Sequence, residues 1–294
     1  MLILTHSGSF HADEVLGHAI LTLAHPGREL RLERSRDPAR WRVADIVFDV
    51  GGIYDPATRR YDHHMPDAPL RDDGTPYSSA GLLWRDFGRD AIRALIGEAE
   101  GAVIDAVWNQ LDEGLILAID RIDNGVSYPT PESLATVIGD LNAPWDEPAD
   151  DETPAFLRAS ALAEGTLRGR IRRTHAAVKA RNIVLDAWRH SADPRLLELP
   201  QGMPWRDTVL ENDLPVLYAI FPRTNGHWLL ECAPAAPNSF AVRAPLPDAW
   251  AGLTDEDLQQ VTGVPDAVFA HRNLFMAVAG SREGVLRLAA LALG

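Results

Sequence analysis

Hydrophobic and polar positions alternate in a way that divides the chain into short strands and longer helices. Residues 2–5 form a brief apolar run that ends in polar residues, as a buried strand does. Residues 13–24 carry Val15, Leu16, Ala19, Ile20 and Leu23 on one side of a helix. Residues 30–34 fit a second strand. Residues 46–50 (Ile-Val-Phe-Asp-Val) fit a buried third one, closed by Gly51-Gly52. The order strand, helix, strand, strand predicts an α/β domain whose largely parallel sheet is flanked by helices. Such sheets bind ligands beyond the carboxyl ends of their strands, which is where this reading puts His6 and Asp49.

From Tyr77 to Asn124 the pattern is helical. The small, polar Ser78-Ser79-Ala80-Gly81 precedes Leu82, Leu83, Trp84 and Phe87, and 103–119 reads as one long helix. Two acidic, proline-bearing stretches within 144–154 predict a loop, and 156–188 is helical again. After Pro194 the texture changes to strands at 196–199, 217–222 and 228–232. Asn225-Gly226 lies between two apolar runs, which predicts a hairpin, and 281–293 predicts a closing helix. With 294 residues and about 150 per domain, the expectation is two domains. Residues 1–190 would form a catalytic α/β domain with trailing helices, and 195–294 a smaller α/β domain.

Composition narrows the function. Hydrophobic residues make up 46% and charged residues 24%, enough for a sizeable core. The net charge of −14 opposes non-specific coating of nucleic acid or anionic membranes, although a local basic groove or a metal site could still recruit phosphate. Of the 28 basic residues, Lys179 is the one lysine. No acid interrupts 165–185, where Arg168, Arg170, Arg172, Arg173, Lys179 and Arg181 fall. They read either as a solvated helix face or as a track for a nucleic-acid backbone. The single cysteine, Cys232, excludes an internal disulfide and Cys-rich zinc sites. No run approaches the ~20 apolar residues of a membrane span, and the N-terminus lacks signal-peptide character. A cytoplasmic protein without a membrane partner is expected.

Six of the ten histidines fall within the first 64 residues. His6, His11, His63 and His64 are interleaved with Asp13, Asp49 and Asp62, and a further acidic group holds Asp120 and Asp123. Histidine with aspartate and no cysteine suits Mn²⁺, with Mg²⁺ or Zn²⁺ as alternatives. Two such ions about 3.5–4 Å apart activate water and stabilise an in-line displacement at phosphorus. Taken singly, each residue also has a plain structural role. His11 and Asp13 could cap the following helix, Asp49 could end a strand in a turn, and His63-His64 could be an exposed pair. The ordered clusters together favour the metal site. Metal-bound His6 and His63 must be neutral, so affinity is expected to weaken below about pH 6.

These clusters resemble the DHH phosphoesterase superfamily, whose Asp-His-His would be Asp62-His63-His64, and within it most closely the MYG1 (UPF0160) family. The resembling stretches begin with Thr5-His6-Ser7-Gly8-Ser9-Phe10-His11-Ala12-Asp13-Glu14, Asp49-Val50-Gly51-Gly52-Ile53-Tyr54-Asp55 and Arg60-Tyr61-Asp62-His63-His64. They continue with Ser78-Ser79-Ala80-Gly81 and Asp123-Asn124-Gly125, and toward the C-terminus with Ser239-Phe240-Ala241-Val242-Arg243, Pro245-Leu246-Pro247 with Trp250, and Phe269-Ala270-His271. The resemblance implies a DHH-type N-terminal domain with a dinuclear metal site and a C-terminal domain that closes on substrate. It gives one ion to His6 and His11 and the other to Asp13, His63 and Asp120, with Asp123 as the alternative to Asp120. Asp49 would bridge. His64 would contact the phosphate or orient a water on the metal, and Asp62 would orient a neighbouring histidine. Where many superfamily members carry Asp-x-Asp, this chain has His11-Ala12-Asp13. Arg243, His271 and Arg272 are candidates for binding substrate phosphate, or else surface charges paired with acids.

The expected activity is that of a metal-dependent phosphodiesterase, a 3′–5′ exonuclease on single-stranded RNA or short oligonucleotides with two Mn²⁺ ions. One alternative is a small-molecule phosphoesterase acting on dinucleotides, cyclic dinucleotides or phosphomonoesters. Another is a non-catalytic nucleic-acid-binding scaffold. A homodimer is one assembly the chain allows.

Overall fold

Five short strands carry the N-terminal unit: β1 (Leu2–Thr5), β2 (Arg31–Arg34), β3 (Ile46–Phe48), β4 (Tyr54–Asp55) and β5 (Arg60–Tyr61). They pair in the order β2-β1-β3-β5-β4. The first four in that order are mutually parallel, and β4 runs antiparallel to β5. Successive side chains on a strand face opposite sides. Leu4 and Val47 therefore join Ala44, Val50 and Trp41 on one face, and Ile3, Ile46 and Phe48 turn to the other. Trp41 comes from the short helix α2 (Pro38–Trp41). The second face is covered by α1 (Ala12–Ala24) and α3 (Ser79–Ile96). Gly17 permits that contact, because a Cβ there would stand 2.9 Å from Leu83 Cδ1 and 3.3 Å from Phe48 Cδ2. This is the computed structural model of the chain, and it describes residues 1–97 and 99–294.

The helix expected over 103–119 is three pieces end to end. α4 (Gly101–Leu111) passes through a π-helical turn, Asp112–Ile116, into α5 (Leu117–Asp123). A π turn admits an extra residue and rotates the next length of helix, which reorients the acids at the end of α5. After α6 (Leu134–Gly139) comes α7 (Thr153–Arg189). Phe156, Ala159, Ala163, Leu167 and Ile171 make the buried stripe of its first part, at the spacing of one helix face. Arg170, Arg172 and Arg173 lie off that stripe and are exposed, while Arg168 pairs with Glu164 one turn back at 2.7 Å.

The chain divides into two compact units, Met1–His175 and Ala176–Gly294. The second has its own sheet of β6 (Leu196–Glu198), β7 (Tyr218–Pro222), β8 (Trp228–Cys232), β9 (Ala267–Ala270) and β10 (Met276–Ala279), in the order β6-β7-β8-β10-β9. β6 is parallel to β7 and the rest are antiparallel. The β7–β8 hairpin turns at Asn225-Gly226, with Gly226 at φ 86°. Tyr218 and Ile220 pack with Leu246, Trp250, Leu258 of the helix Asp255–Thr262, and Val285 and Leu288 of the terminal helix (Arg282–Leu293). Ala219 and Phe221 face the other way, onto Val184, Trp205 and Val209. Val209 lies on the short helix 206–211. Both sheets are mixed and flanked by helices. Among the described residues no helix is long and apolar enough to cross a membrane.

His18 is a buried structural histidine. Its Nδ1 lies 2.6 Å from Ser160 Oγ, its ring meets Phe156 edge-on, and burial pushes its pKa down to about 4. The unfolded chain therefore takes up this proton near pH 6.5 and the folded protein only near 4, so stability falls as the pH drops through that window. Denaturation of the wild type and His18→Asn should show a contribution of about 3 kcal/mol lost between those pH values in the wild type alone. Equal pH slopes in the two proteins would refute this.

Candidate metal centre

The parallel strands β1, β3 and β5 all end at one edge of the first sheet, and each is followed at once by a chemistry-bearing residue. His6 follows β1, Asp49 follows β3, and Asp62-His63-His64 follows β5. Asp49 sits in the left-handed region at φ 56°, which aspartate tolerates better than bulkier residues. The chain returns from β1 directly into α1, so His11 at its N-cap and Asp13 and Glu14 in its first turn reach the same edge. Ile119, Ile122 and Asp123 of α5 complete the wall of a cavity of about 1000 Å³ that His6, His11, Asp13, Asp49, His63 and His64 also line.

Two overlapping clusters result. In the first, His6 Nε2 lies 2.9 Å from Glu14 Oε1 and 3.3 Å from Asp49 Oδ2, and His11 is within ligand reach of the His6–Glu14 pair. In the second, His63 Nε2 lies 3.2 Å from Asp123 Oδ2, 3.5 Å from Asp49 Oδ1 and 3.7 Å from Asp13 Oδ2. Asp49 thus offers one oxygen to each cluster. Asp13 is positioned by the first turn of α3, where the N–H groups of Ser79 and Ala80 donate to its two oxygens at 3.0 and 2.5 Å. Those N–H groups have no helical acceptor of their own, and a carboxylate is favoured there.

The electrostatics are those of a cation site. Asp13 and Glu14 are fully buried and Asp49 is 7% exposed. Among the described residues no Lys or Arg lies within ion-pair distance of these acids or of Asp123; their partners are histidines. Buried, uncompensated carboxylates are costly unless a cation joins them. Glu14 Oε2 and His63 Nε2 have no hydrogen-bond partner. Burial opposes charge on His6, yet hydrogen bonds and attraction from Asp49 and Glu14 outweigh it and push its pKa up to about 10. Burial likewise opposes charge on His63, and Asp123, Asp49 and Asp13 push it up to about 11. Asp13 is raised well above the usual range by burial and by its acidic neighbours Asp123 and Asp49. Burial raises Asp49 too, but the neighbouring His6 and His63 hold it below the ordinary value. Nitrogen and carboxylate donors without sulfur fit a borderline-hard divalent ion.

Asp62 and His64 are placed differently. Asp62 Oδ1 accepts from the His63 and His64 N–H groups and lies 2.7 Å from His64 Nδ1, while Oδ2 accepts from Gly52 N–H at 2.5 Å. The His64 ring is largely exposed at the cavity wall. Of the two acids offered for the second cluster, the structure brings Asp123 to His63 and turns Asp120 elsewhere. Asp120 is wholly buried, accepts from Ser78 N–H and Oγ, and pairs with Arg71 at 2.5 Å. Gly81 leaves room for it, since a Cβ there would strike the Asp120 carboxylate. Two residues were unassigned in the sequence. Glu14 sits in the N3 position, where a glutamate commonly closes a capping box, and does accept from His11 N–H at 2.9 Å. Arg36 lies beyond β2, where its sequence neighbours gave no signal.

The proposed substrate residues all belong to the second unit. Arg243 donates to the Leu214 carbonyl and, at 3.0 Å, to that of Val216, so its guanidinium ties backbone together. His271 Nδ1 accepts from Asn273 N–H at 3.0 Å, and its ring packs against Phe269 and Phe275. Arg272 is exposed.

A two-unit α/β protein with a carboxylate–histidine cluster at the carboxyl ends of the parallel strands of a mixed sheet is the class this geometry defines. The profile of the family described as "Uncharacterised protein family (UPF0160)", MYG1 exonuclease, matches residues 2–293. The chain is 34% identical over 314 residues to "MYG1 exonuclease" of Homo sapiens, covering 97% of this chain and 84% of that one. It is 33% identical over 317 residues to "MYG1 exonuclease" of Rattus norvegicus, covering 97% and 82%. A MYG1 protein of Saccharomyces cerevisiae is 31% identical over 322 residues, covering 99% and 95%. The chain belongs to the MYG1 (UPF0160) family. No solved structure matches it.

The placement of the two α5 acids separates their roles experimentally. Asp123→Asn should weaken Mn²⁺ binding by about tenfold or more with little change in stability. Asp120→Asn should leave Mn²⁺ stoichiometry intact and cost about 3 kcal/mol, because Arg71 loses a buried partner. Calorimetric titration and urea denaturation of both variants read these out, and the reverse pattern would restore Asp120 as the ligand.

The acidic surroundings of His6 and His63 also move proton competition upward from the expected pH 6. Their raised pKa values mean that, without a cation, both hold protons through neutrality, whereas ligation needs them neutral. Mn²⁺ binding should therefore release about two protons at pH 7, and affinity should climb from pH 6 to 9. Titration in buffers of different ionisation enthalpy measures the release, and an affinity flat over that range would contradict histidine ligation.

Proposed function

We propose that this protein is a metal-dependent phosphodiesterase of the DHH type, trimming single-stranded RNA or short oligonucleotides from the 3′ end with two Mn²⁺ ions. The observation that carries this is Asp49, whose two oxygens address separate buried clusters, His6 with Glu14 and His63 with Asp13 and Asp123. His6, His11 and Glu14 would hold one ion, and Asp13, His63 and Asp123 the other, with Asp49 between. Bound there, two divalent ions would lower the pKa of water and stabilise the oxygens of an in-line displacement at phosphorus. The relatives named exonucleases support the reaction class.

The remaining groups have tasks of their own. Asp62 holds the His64 ring through Nδ1, so the proton stays on Nδ1 and Nε2 is left as an acceptor that can take a hydrogen bond from a water and orient it. Asp62 also fixes the His63 backbone and the Gly51-Gly52 turn. Phe10, Ala12 and Ile119, all buried, supply the apolar part of the cavity lining. A small nucleotide or phosphomonoester is the second reading, favoured by the net charge of −14, which repels a long polyanion.

The test is a 5′-labelled single-stranded RNA of about 20 nucleotides, long enough to span a strand-binding groove, incubated with metal-stripped protein with and without Mn²⁺. The expected result is a ladder that shortens from the 3′ end, requires Mn²⁺ and is lost in Asp49→Asn. An intact strand beside Mn²⁺-loaded protein would shift the substrate to a dinucleotide, cyclic dinucleotide or phosphomonoester. Hydrolysis by Asp49→Asn at the wild-type rate would overturn the site.

A further inference from the structure

We propose that Arg36 grips the substrate's phosphate in this cavity, a reading that rests on the phosphoester hydrolysis proposed above. Among the described residues, Arg36 is the only Lys or Arg that lines the cavity. It follows β2, and its guanidinium reaches back to the loop after β1. Nε donates to the Ser7 carbonyl at 3.1 Å, and Nη2 lies 3.1 Å from His6 Nδ1. The charge therefore stands on the outer edge of the same imidazole whose Nε2 faces Glu14 and Asp49.

Among the described residues no carboxylate pairs with Arg36, although the cavity is rich in them. Its neighbours differ. Arg40 forms a two-pronged pair with Glu33 at 2.5 and 2.6 Å. Arg34 approaches Glu152 at 3.6 Å, donates to the Gly8 carbonyl at 2.5 Å and lies over the rings of Phe10 and Phe156. Arg34 thus already fastens the 7–10 loop, with a side chain only 3% exposed. Arg36 is exposed and is not needed as a second fastening.

His6 links Arg36 to the metal centre. Its Nδ1 lies 3.1 Å from both the Ser7 carbonyl and Arg36 Nη2, and it cannot donate to the first while accepting from the second. An imidazole that gives Nε2 to a cation keeps its proton on Nδ1, where the Ser7 carbonyl accepts it. Arg36 Nη2 is then without an acceptor while Nε stays anchored. A planar guanidinium held by one nitrogen, with its remaining donors facing an acid-lined cavity, matches two non-bridging oxygens of a phosphate. The anion class is a phosphate ester carried by a nucleotide.

The test uses Mn²⁺-loaded full-length protein, with AMP as the probe and RNA hydrolysis as a second readout. Arg36→Gln should raise the Kd for AMP by roughly tenfold to a hundredfold, the range of a charge-assisted hydrogen-bonded pair. KM for RNA should rise by a similar factor with kcat less affected, and Mn²⁺ affinity should stay within about twofold. Arg36→Lys should recover part of the AMP affinity, because it keeps the charge without the fork. AMP affinity unchanged in Arg36→Gln overturns the proposal. Loss of Mn²⁺ affinity in step with AMP affinity also overturns it, by making Arg36 a positioning residue for His6. Wild-type protein that takes up Mn²⁺ but neither binds AMP nor cleaves RNA overturns the phosphoester reading itself, and this assignment with it.

Discussion

The burial of Asp13, Glu14 and Asp49 at one edge of the first sheet, with histidines as their sole charged partners among the described residues, is the constraint around which the N-terminal unit is organised. Carboxylates in a low-dielectric interior repel one another and are poorly solvated. The fold meets this with oriented dipoles and with imidazoles. The start of α3 points two N–H groups at Asp13, and Glu14 takes the His11 N–H. Asp49 lies between His6 and His63. What these devices leave is a negative, partly unpartnered cavity suited to divalent cations.

The scaffold makes that arrangement rigid. Three parallel strands bring three separate segments to one edge, and the close α1–α3 packing at Gly17 and the α3–α5 contact at Gly81 fix where the first turns of α1 and α3 end. Asp120 shows how nearby chemistry can serve structure instead. Its carboxylate organises Ser78 at the N-cap of α3 and satisfies Arg71, which also holds Asp112 in the π-helical turn. That network sets the direction of α5 and therefore the position of Asp123. Asp123, beside His63, and Asp120, beside Arg71, are three apart on one helix and meet different partners.

The strands 2–5 and 46–48, α1 and the hairpin at Asn225-Gly226 were legible because their signals are local: period-two or helical hydrophobicity, and a turn that needs positive φ. The short strands β4, β5, β9 and β10 were not, because two to four residues carry too little periodicity to distinguish them from loops. β5 matters most, since it is what carries Asp62-His63-His64 to the same edge as His6 and Asp49. In the basic run on α7, Arg168 pairs with Glu164 while Arg170, Arg172 and Arg173 are exposed, because the helix turns its apolar stripe inward.

By itself the sequence determined the inventory: which residue types are present, that sulfur is absent from the ligand pool, and that histidine–aspartate clusters follow apolar runs. It also determined family membership, because the clusters recur in order over the whole chain. Tertiary structure alone decided the choice among equivalent residues. Asp123 rather than Asp120 lines the cavity, Glu14 meets His6 beneath it, Arg36 rather than Arg34 is left without a carboxylate partner among the described residues, and Arg243 holds carbonyls. The physical reason is that composition and spacing give a side chain its chemistry, but its role depends on which neighbours satisfy its hydrogen bonds and charge. Those neighbours are separated from it by tens of residues and meet it only when the sheet and helices pack.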